Sequence, residues 1–438
     1  MSTANWRDRH SERVLLAGLA AVVVLRLGFH ALFVPVWEGP DEPFHASRVV
    51  ASARGPLRGA LDNRPLAPDI VGSIWSHPCC AALRRYYPCA AFGGARSAFN
   101  ILAPASKAAS IPGGKNPENN QPPLFYLAAG LALAPIRSVL AGSPEYALLA
   151  CRLIAVALVV LAVFGPLRRL TRARAPAFSF AGLLLLALPG ASESLMRCAN
   201  DGAIFLWSAA LLACLEAAAP TALLCALTAA GPLLKPTAFP VVAVAAVWLW
   251  IAGRQRAALG ALASAAIVLP IQFFRGWSFG GGFELNRSPA QIPEGWTDAA
   301  AGFARSVYTM LKTTFWIGEW SFFRAPRGLV VAWFLLIAAL VVTSRWRSEP
   351  RFAAAHLAGA LVLAAGTAVF LIAHRRYWGQ WGGVPGWYVW GWMPWLAVAW
   401  NDCFRPSKRA APALLFATGA FVAVCNVLYF REALAHYG

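Results

Sequence analysis

Apolar residues in this chain do not alternate with polar ones. They run in blocks about as long as a membrane is thick, and about 20 mainly apolar residues cross a bilayer as a helix. The first block, residues 14–36, follows Arg7, Arg9 and Arg13. Further blocks at 146–166, 177–195, 202–219, 221–235, 237–252, 257–275, 328–344, 352–373, 387–402 and 411–430 bring the predicted transmembrane helices to eleven. The pair flanking Lys235-Pro236 reads as two short helices or as one helix kinked at the proline. The first block is longer than a signal-peptide core and no A-x-A cleavage site follows it, so it is read as a retained helix.

Segment 122–140 (PPLFYLAAGLALAPIRSVL) decides the orientation. If it spanned, the basic run at 168–174 would lie outside, against the positive-inside rule. If it lies along the outer leaflet, the basic clusters 7–13, 168–174, 254–256, 345–351 and 405–409 all fall on the cytoplasmic side. Under that arrangement the cytoplasmic loops carry 15 Lys and Arg and 5 acidic residues, while 14 of the 19 carboxylates lie at the outer face. The expectation is one all-α, polytopic domain over residues 1–438, with its N-terminus in the cytoplasm and its chemistry outside. Three outer segments, 37–145, 276–327 and 374–386, are large enough to build a site, and 37–145 is expected to carry one or two surface helices.

Composition supports the membrane reading. Of 438 residues 59% are hydrophobic and 13% charged, against about 25% charged in soluble domains. A net charge of +19 in a soluble protein would point to nucleic acid. Here many of the basic residues sit between apolar blocks, which accounts for the charge without a nucleic-acid partner. The outer loop holds Cys79, Cys80 and Cys89, whose pairing is open, and no Cys or His spacing matches a zinc site. No P-loop, GxGxxG or internal repeat is present.

The chemistry concentrates where the first helix ends, at Trp37-Glu38-Gly39-Pro40-Asp41-Glu42-Pro43-Phe44-His45. Adjacent carboxylates stiffened by prolines at a membrane surface suggest a positioned acid or base. Arg26, His30 and Trp37 share the helical face leading to them, and an arginine that deep should face the bundle. Lys235, Arg197, Lys312, Arg375 and Arg376 are placed at the outer interface, where cations hold phosphate or snorkel to head groups. Arg375 and Arg376, beside His374 and Tyr377, are the strongest phosphate candidates. Asp201 has three roles open to it: binding sugar hydroxyls, binding a divalent cation, or capping the next helix, with Asn200 as an alternative cap. The run WGQWGGVPGWYVWGWMPW at 378–395 reads mainly as an interfacial aromatic belt, with Trp381 or Trp387 available to stack on a sugar.

Taken in order, GPDEPFH, NQPPLFYLAAG, Arg152, the Ala-Asn-Asp ending at Asp201, LLKPTAFP and TFWIGEW resemble the GT-C membrane glycosyltransferases. The closest likeness is to bacterial PPDEPxH-type membrane proteins, with protein O-mannosyltransferases and lipid A aminoarabinose transferases as more distant relatives. The resemblance implies a bacterial inner-membrane enzyme taking a sugar from a polyprenyl phosphate. Its acceptor would be a glycan, lipid or protein. Asp41 would be the catalytic acidic residue, with Glu42 its neighbour or substitute, and beside the resemblance the chemistry of His45, Asp201, Lys235, Arg375, Arg376 and Trp387 makes them the expected substrate-binding residues. Two positions depart from the pattern: Gln121, where relatives often carry Lys or His, and Gly386-Trp387-Tyr388, where many carry Gly-Arg-Tyr. The rival class is a polytopic transporter or flippase of a lipid-linked or small-molecule substrate, with Arg26, His30 and Lys235 along an intramembrane pathway.

Overall fold

A computed structural model describes residues 4–34, 37, 39, 41–61, 66–70, 73, 116, 118, 121–172, 186–270, 295–316, 325–346, 350–378, 386–406 and 410–437. The described chain is helical except for one short β ribbon. Helix α1 (Ala4–Phe33) buries Val23, Arg26, Leu27, His30 and Ala31 on one face, while Leu25 (72% exposed) and Leu32 (69%) point away from the protein. The same outward display recurs at Val342 (83%) and Phe416 (79%). Helices apolar all round belong in hydrocarbon or in a large core, and exposed apolar surface on this scale fits a helical membrane protein.

The described part of segment 37–145, expected as an outer loop with one or two surface helices, carries four. It contains α2 (Glu42–Arg54), α3 (Pro56–Leu61), α4 (Leu124–Leu133) and α5 (Arg137–Gly142), with a 3₁₀ turn at Ala134–Ile136 between the last two. Helix α2 is not a surface helix, because ten of its residues are buried. It packs on α4 closely enough that a Cβ on Gly130 would stand 2.4 Å from the Ser52 side chain. The apolar helical run from Leu124 to Leu140, at a rise of 1.5 Å per residue, is about 25 Å long, just short of the hydrocarbon thickness.

Next comes α6 (Pro144–Ala162), which continues through a π turn (Val163–Leu167) into α7 (Arg168–Arg172). Pro166 lies in the π turn, where the missing proline N–H is accommodated by a wider ring. The short α8 (Pro189–Met196) and α9 (Asp201–Glu216) meet at a bend of 100°. Helices α10 (Thr221–Leu234) and α11 (Ala238–Ile251) are separate elements either side of Lys235-Pro236, and α12 (Gln255–Ala266) packs against both.

The segment expected as an outer loop at 276–327 carries a 20-residue helix, α13 (Trp296–Phe315). Its buried Ser306, Met310 and Thr313 recur at helical spacing. Then follow α14 (Arg327–Thr343), α15 (Pro350–Trp378), α16 (Met393–Cys403) and α17 (Ala410–Tyr437). The predicted helix 387–402 begins instead with a 3₁₀ turn, Gly386–Val389. Strands β1 (Ser344–Trp346) and β2 (Phe404–Pro406) pair antiparallel, with Arg345 opposite Arg405 in the backbone register.

By length and composition, two described segments can cross a membrane as single rods, Pro144–Leu170 and Pro412–Glu432. The bent pair α8–α9 counts as a third if it is one span, and seven apolar helices of 10–17 residues lie between Ala20 and Ile372.

Candidate functional site

The head of α2 is built around Glu42. It is fully enclosed, and its carboxylate accepts four hydrogen bonds. Arg152 Nε (2.8 Å) and the Cys198 N–H (3.1 Å) reach Oε1, while Arg152 Nη2 (2.6 Å) and the Gly39 N–H (3.0 Å) reach Oε2. Arg152 Nη1 also donates to the carbonyls of Ala31 and Val34 at the end of α1. One residue thus ties together α1, α2, α6 and the α8–α9 bend. Gly39 is required, since a Cβ there would stand 2.3 Å from the Glu42 carboxyl carbon.

Asp41 stands apart from this lock. Its backbone is left-handed (φ 62°), its side chain makes no capping hydrogen bond to α2, and 45% of that side chain is exposed. A non-glycine residue in this region is strained, and such strain clusters at functional sites. Its Oδ2 lies 3.9 Å from Arg197 Nη1. Enclosure by the surrounding wall raises the Asp41 carboxyl above its ordinary range and Arg197 draws it back, with the open side of the residue moderating both effects.

Behind Arg197 the charges alternate. Arg197 donates to Asp201 Oδ2 from Nε (3.1 Å) and Nη2 (2.6 Å), and Lys235 donates to Oδ1. The Lys235 ammonium also faces the Tyr388 ring at 5.0 Å. Both oxygens of the fully buried Asp201 are therefore engaged by protein cations. Neither Asp201 nor Asn200 caps α9 by its side chain. Asn200 is the N-cap residue, and its amide turns to the Leu234 carbonyl (2.8 Å) and Gln121 (3.4 Å).

His45, one turn into α2, shares a 2.6 Å hydrogen bond between Nδ1 and the Tyr126 hydroxyl, and its Nε2 lies 3.6 Å from Glu118. Burial, then the neighbouring cations, hold its imidazole well below its ordinary pKa, so it is neutral. Arg48 stacks 3.6 Å from the centre of the Tyr126 ring and donates to the carbonyls of Glu118 (2.6 Å), Gln121 (3.1 Å) and Ala60 (2.7 Å).

Of the residues singled out by sequence, Asp41, Glu42, His45, Asp201 and Lys235 come together here. Arg375 is half-buried in the last turn of α15, and the side chains of Arg376 and Trp387 lie outside the described residues, as do Cys79, Cys80 and Cys89. Glu118, Arg48 and Tyr126 were not singled out. Their signal was weak: Glu118 is one carboxylate in a Pro- and Asn-rich run, and Arg48 follows His45 at a helical step of three. Among the described residues no group of three or more His, Cys, Asp or Glu is arranged to hold a metal ion.

The chain matches no protein family, no curated protein and no solved structure. The likeness to GT-C enzymes rests on the short motifs alone.

Proposed function

We propose that this chain is an inverting GT-C type glycosyltransferase with eleven spans in a bacterial inner membrane, moving a sugar from a polyprenyl phosphate to a glycan, lipid or protein acceptor at the extracytoplasmic face. The observation that carries the reading is the contrast between neighbouring carboxylates. Glu42 and Asp201 are sealed by cations and N–H groups, whereas Asp41 is strained, half exposed and held beside Arg197. A carboxylate kept open among closed ones suits proton abstraction.

In the proposed reaction Asp41 takes the proton of the acceptor hydroxyl as its oxygen bonds to the anomeric carbon from the face opposite the phosphate. The carbon–oxygen bond to phosphate breaks, the polyprenyl phosphate leaves with the electron pair, and the anomeric configuration inverts. Nearby cations stabilise the departing charge. The transporter reading draws on Arg26 and His30, which are buried against Tyr429 inside the bundle.

The deciding experiment is single-turnover transfer from a radiolabelled polyprenyl phosphate sugar in detergent, wild type against Asp41→Asn. The amide nearly preserves shape and removes the proton acceptor, so turnover should fall about 100- to 10,000-fold with donor binding retained. If Asp41→Asn and Glu42→Gln both keep wild-type rates, the transferase mechanism is wrong. If Glu42→Gln alone is inactive while remaining folded, the base is Glu42.

A further inference from the structure

Glu118 is held firmly at this site, although its carboxylate takes no part in the lock around Glu42. Its carbonyl receives Arg48, its N–H donates to Asn116 Oδ1 (2.9 Å), and the Asn116 amide donates to the Phe44 carbonyl (2.7 Å). The backbone thus fixes where the side chain can reach. Oε2 is buried and has no hydrogen-bond partner among the described residues, and His45 Nε2 at 3.6 Å is beyond hydrogen-bond length. An ionised carboxylate with a buried, unpartnered oxygen is costly, so the neutral acid is favoured.

The charged and titratable groups around it come from every element packed there. Asp41 stands at the head of α2, with His45 and Arg48 on that helix. Tyr126 comes from α4, Arg197 and Asp201 from the α8–α9 bend, Lys235 from the end of α10, and Tyr388 from the 3₁₀ turn. Burial first, then the negative charge of Asp41, push the Glu118 carboxyl up to about 7, against the pull of Arg197, Arg48 and Lys235. His45 is neutral and the tyrosines carry no charge near neutrality. With Glu118 protonated, Arg48, Arg197 and Lys235 face Asp41 and Asp201, which leaves one surplus positive charge. With Glu118 ionised, the surplus is gone.

We propose that Glu118 is a positioning residue that sets the net charge of this site: as the neutral acid it leaves one surplus positive charge that attracts a phosphodiester-linked donor, and its ionisation cancels that charge. This rests on the transferase reading, which supplies the anionic donor. The sign follows from the chemistry. Affinity for the anion is present at pH values below the Glu118 transition and is lost as pH rises through it. A unit charge about 12 Å from the anion, at an effective dielectric of about 20, changes affinity by roughly tenfold.

The test is equilibrium binding of a hexosyl polyprenyl phosphodiester to the detergent-solubilised full chain between pH 5.5 and 8.5, a range over which the probe keeps a single negative charge. Wild type should lose about tenfold in affinity across the range. Glu118→Gln, a permanent stand-in for the neutral acid, should bind as tightly at pH 8.5 as wild type does at pH 5.5. Uncharged polyprenol should show no pH dependence with either protein. If Glu118→Gln does not fold, Glu118→Asp should move the wild-type midpoint to lower pH, and an unmoved midpoint overturns the proposal. Saturable binding that is flat with pH in wild type, or that falls equally in Glu118→Gln, overturns this proposal alone. No saturable binding at any pH overturns the transferase reading and this one with it.

Discussion

Replacing Glu42 by glutamine separates a structural carboxylate from a chemical one. Each Glu42 oxygen accepts two donors, Arg152 Nε with the Cys198 N–H on one side and Arg152 Nη2 with the Gly39 N–H on the other. A glutamine amide turns one of these positions into an NH₂ group, so two donors lose their acceptor in either orientation, at about 1–3 kcal/mol each. Arg152, which is 3% exposed, also loses its counter-charge. Breaking a buried pair from one side typically costs about 3–5 kcal/mol, and the two estimates agree. The loss should appear as a lower unfolding midpoint in detergent, followed by thermal aggregation or denaturant titration. The double variant Glu42→Gln/Arg152→Met removes the stranded cation and should recover about 1–3 kcal/mol through the coupling between contacting residues. A Glu42→Gln protein as stable as wild type would refute the structural assignment, and if that protein were also inactive the catalytic role would pass to Glu42.

Two further expectations concern regions away from this lock. In an orientation with the basic clusters inside, single cysteines on a cysteine-free background should label from outside at position 115 and within 276–327, and only after permeabilisation at 172 or within 345–351; external labelling at 172 in intact cells would sink the proposed topology. Arg375→Ala/Arg376→Ala should weaken donor binding at least about 100-fold if both guanidiniums contact the phosphate, at roughly 1.5–3 kcal/mol each, and unchanged affinity would return both to head-group snorkelling.

Much of the helical framework was legible in sequence because apolar blocks of membrane length are a one-dimensional signal. The predicted stretches 146–166, 221–235, 237–252, 328–344, 352–373 and 411–430 each coincide with a helix to within a few residues or lie inside a longer one. Helix α13 went unseen at 276–327 because its Ser, Thr, Arg and Lys residues dilute its hydropathy, leaving only the helical spacing of its buried face as a clue. The density of helices in segment 37–145 was also hidden, since α2 is stabilised by burial against α4 and not by an apolar run of its own.

At the site, sequence placed two carboxylates side by side, and only the resemblance to GT-C enzymes ranked Asp41 above Glu42, since the residues' own spacing does not tell them apart. Tertiary structure did so through the left-handed backbone at Asp41, which leaves that side chain open while Glu42 turns into the bundle. The partners that close Glu42 lie 110 and 156 residues away at Arg152 and Cys198, a separation no local pattern encodes. The Arg197–Asp201 contact, at i and i+4, is of the kind spacing can suggest. That Lys235 takes the other oxygen of Asp201, and that Glu118 stands beside His45, follow only from how α10 and the segment that carries Glu118 pack onto the α8–α9 bend. Sequence therefore determined that the chain is helical with apolar blocks of membrane length. Packing decided which charges are sealed in pairs and which is left open, because burial and long-range partners set the energy of each ionised group.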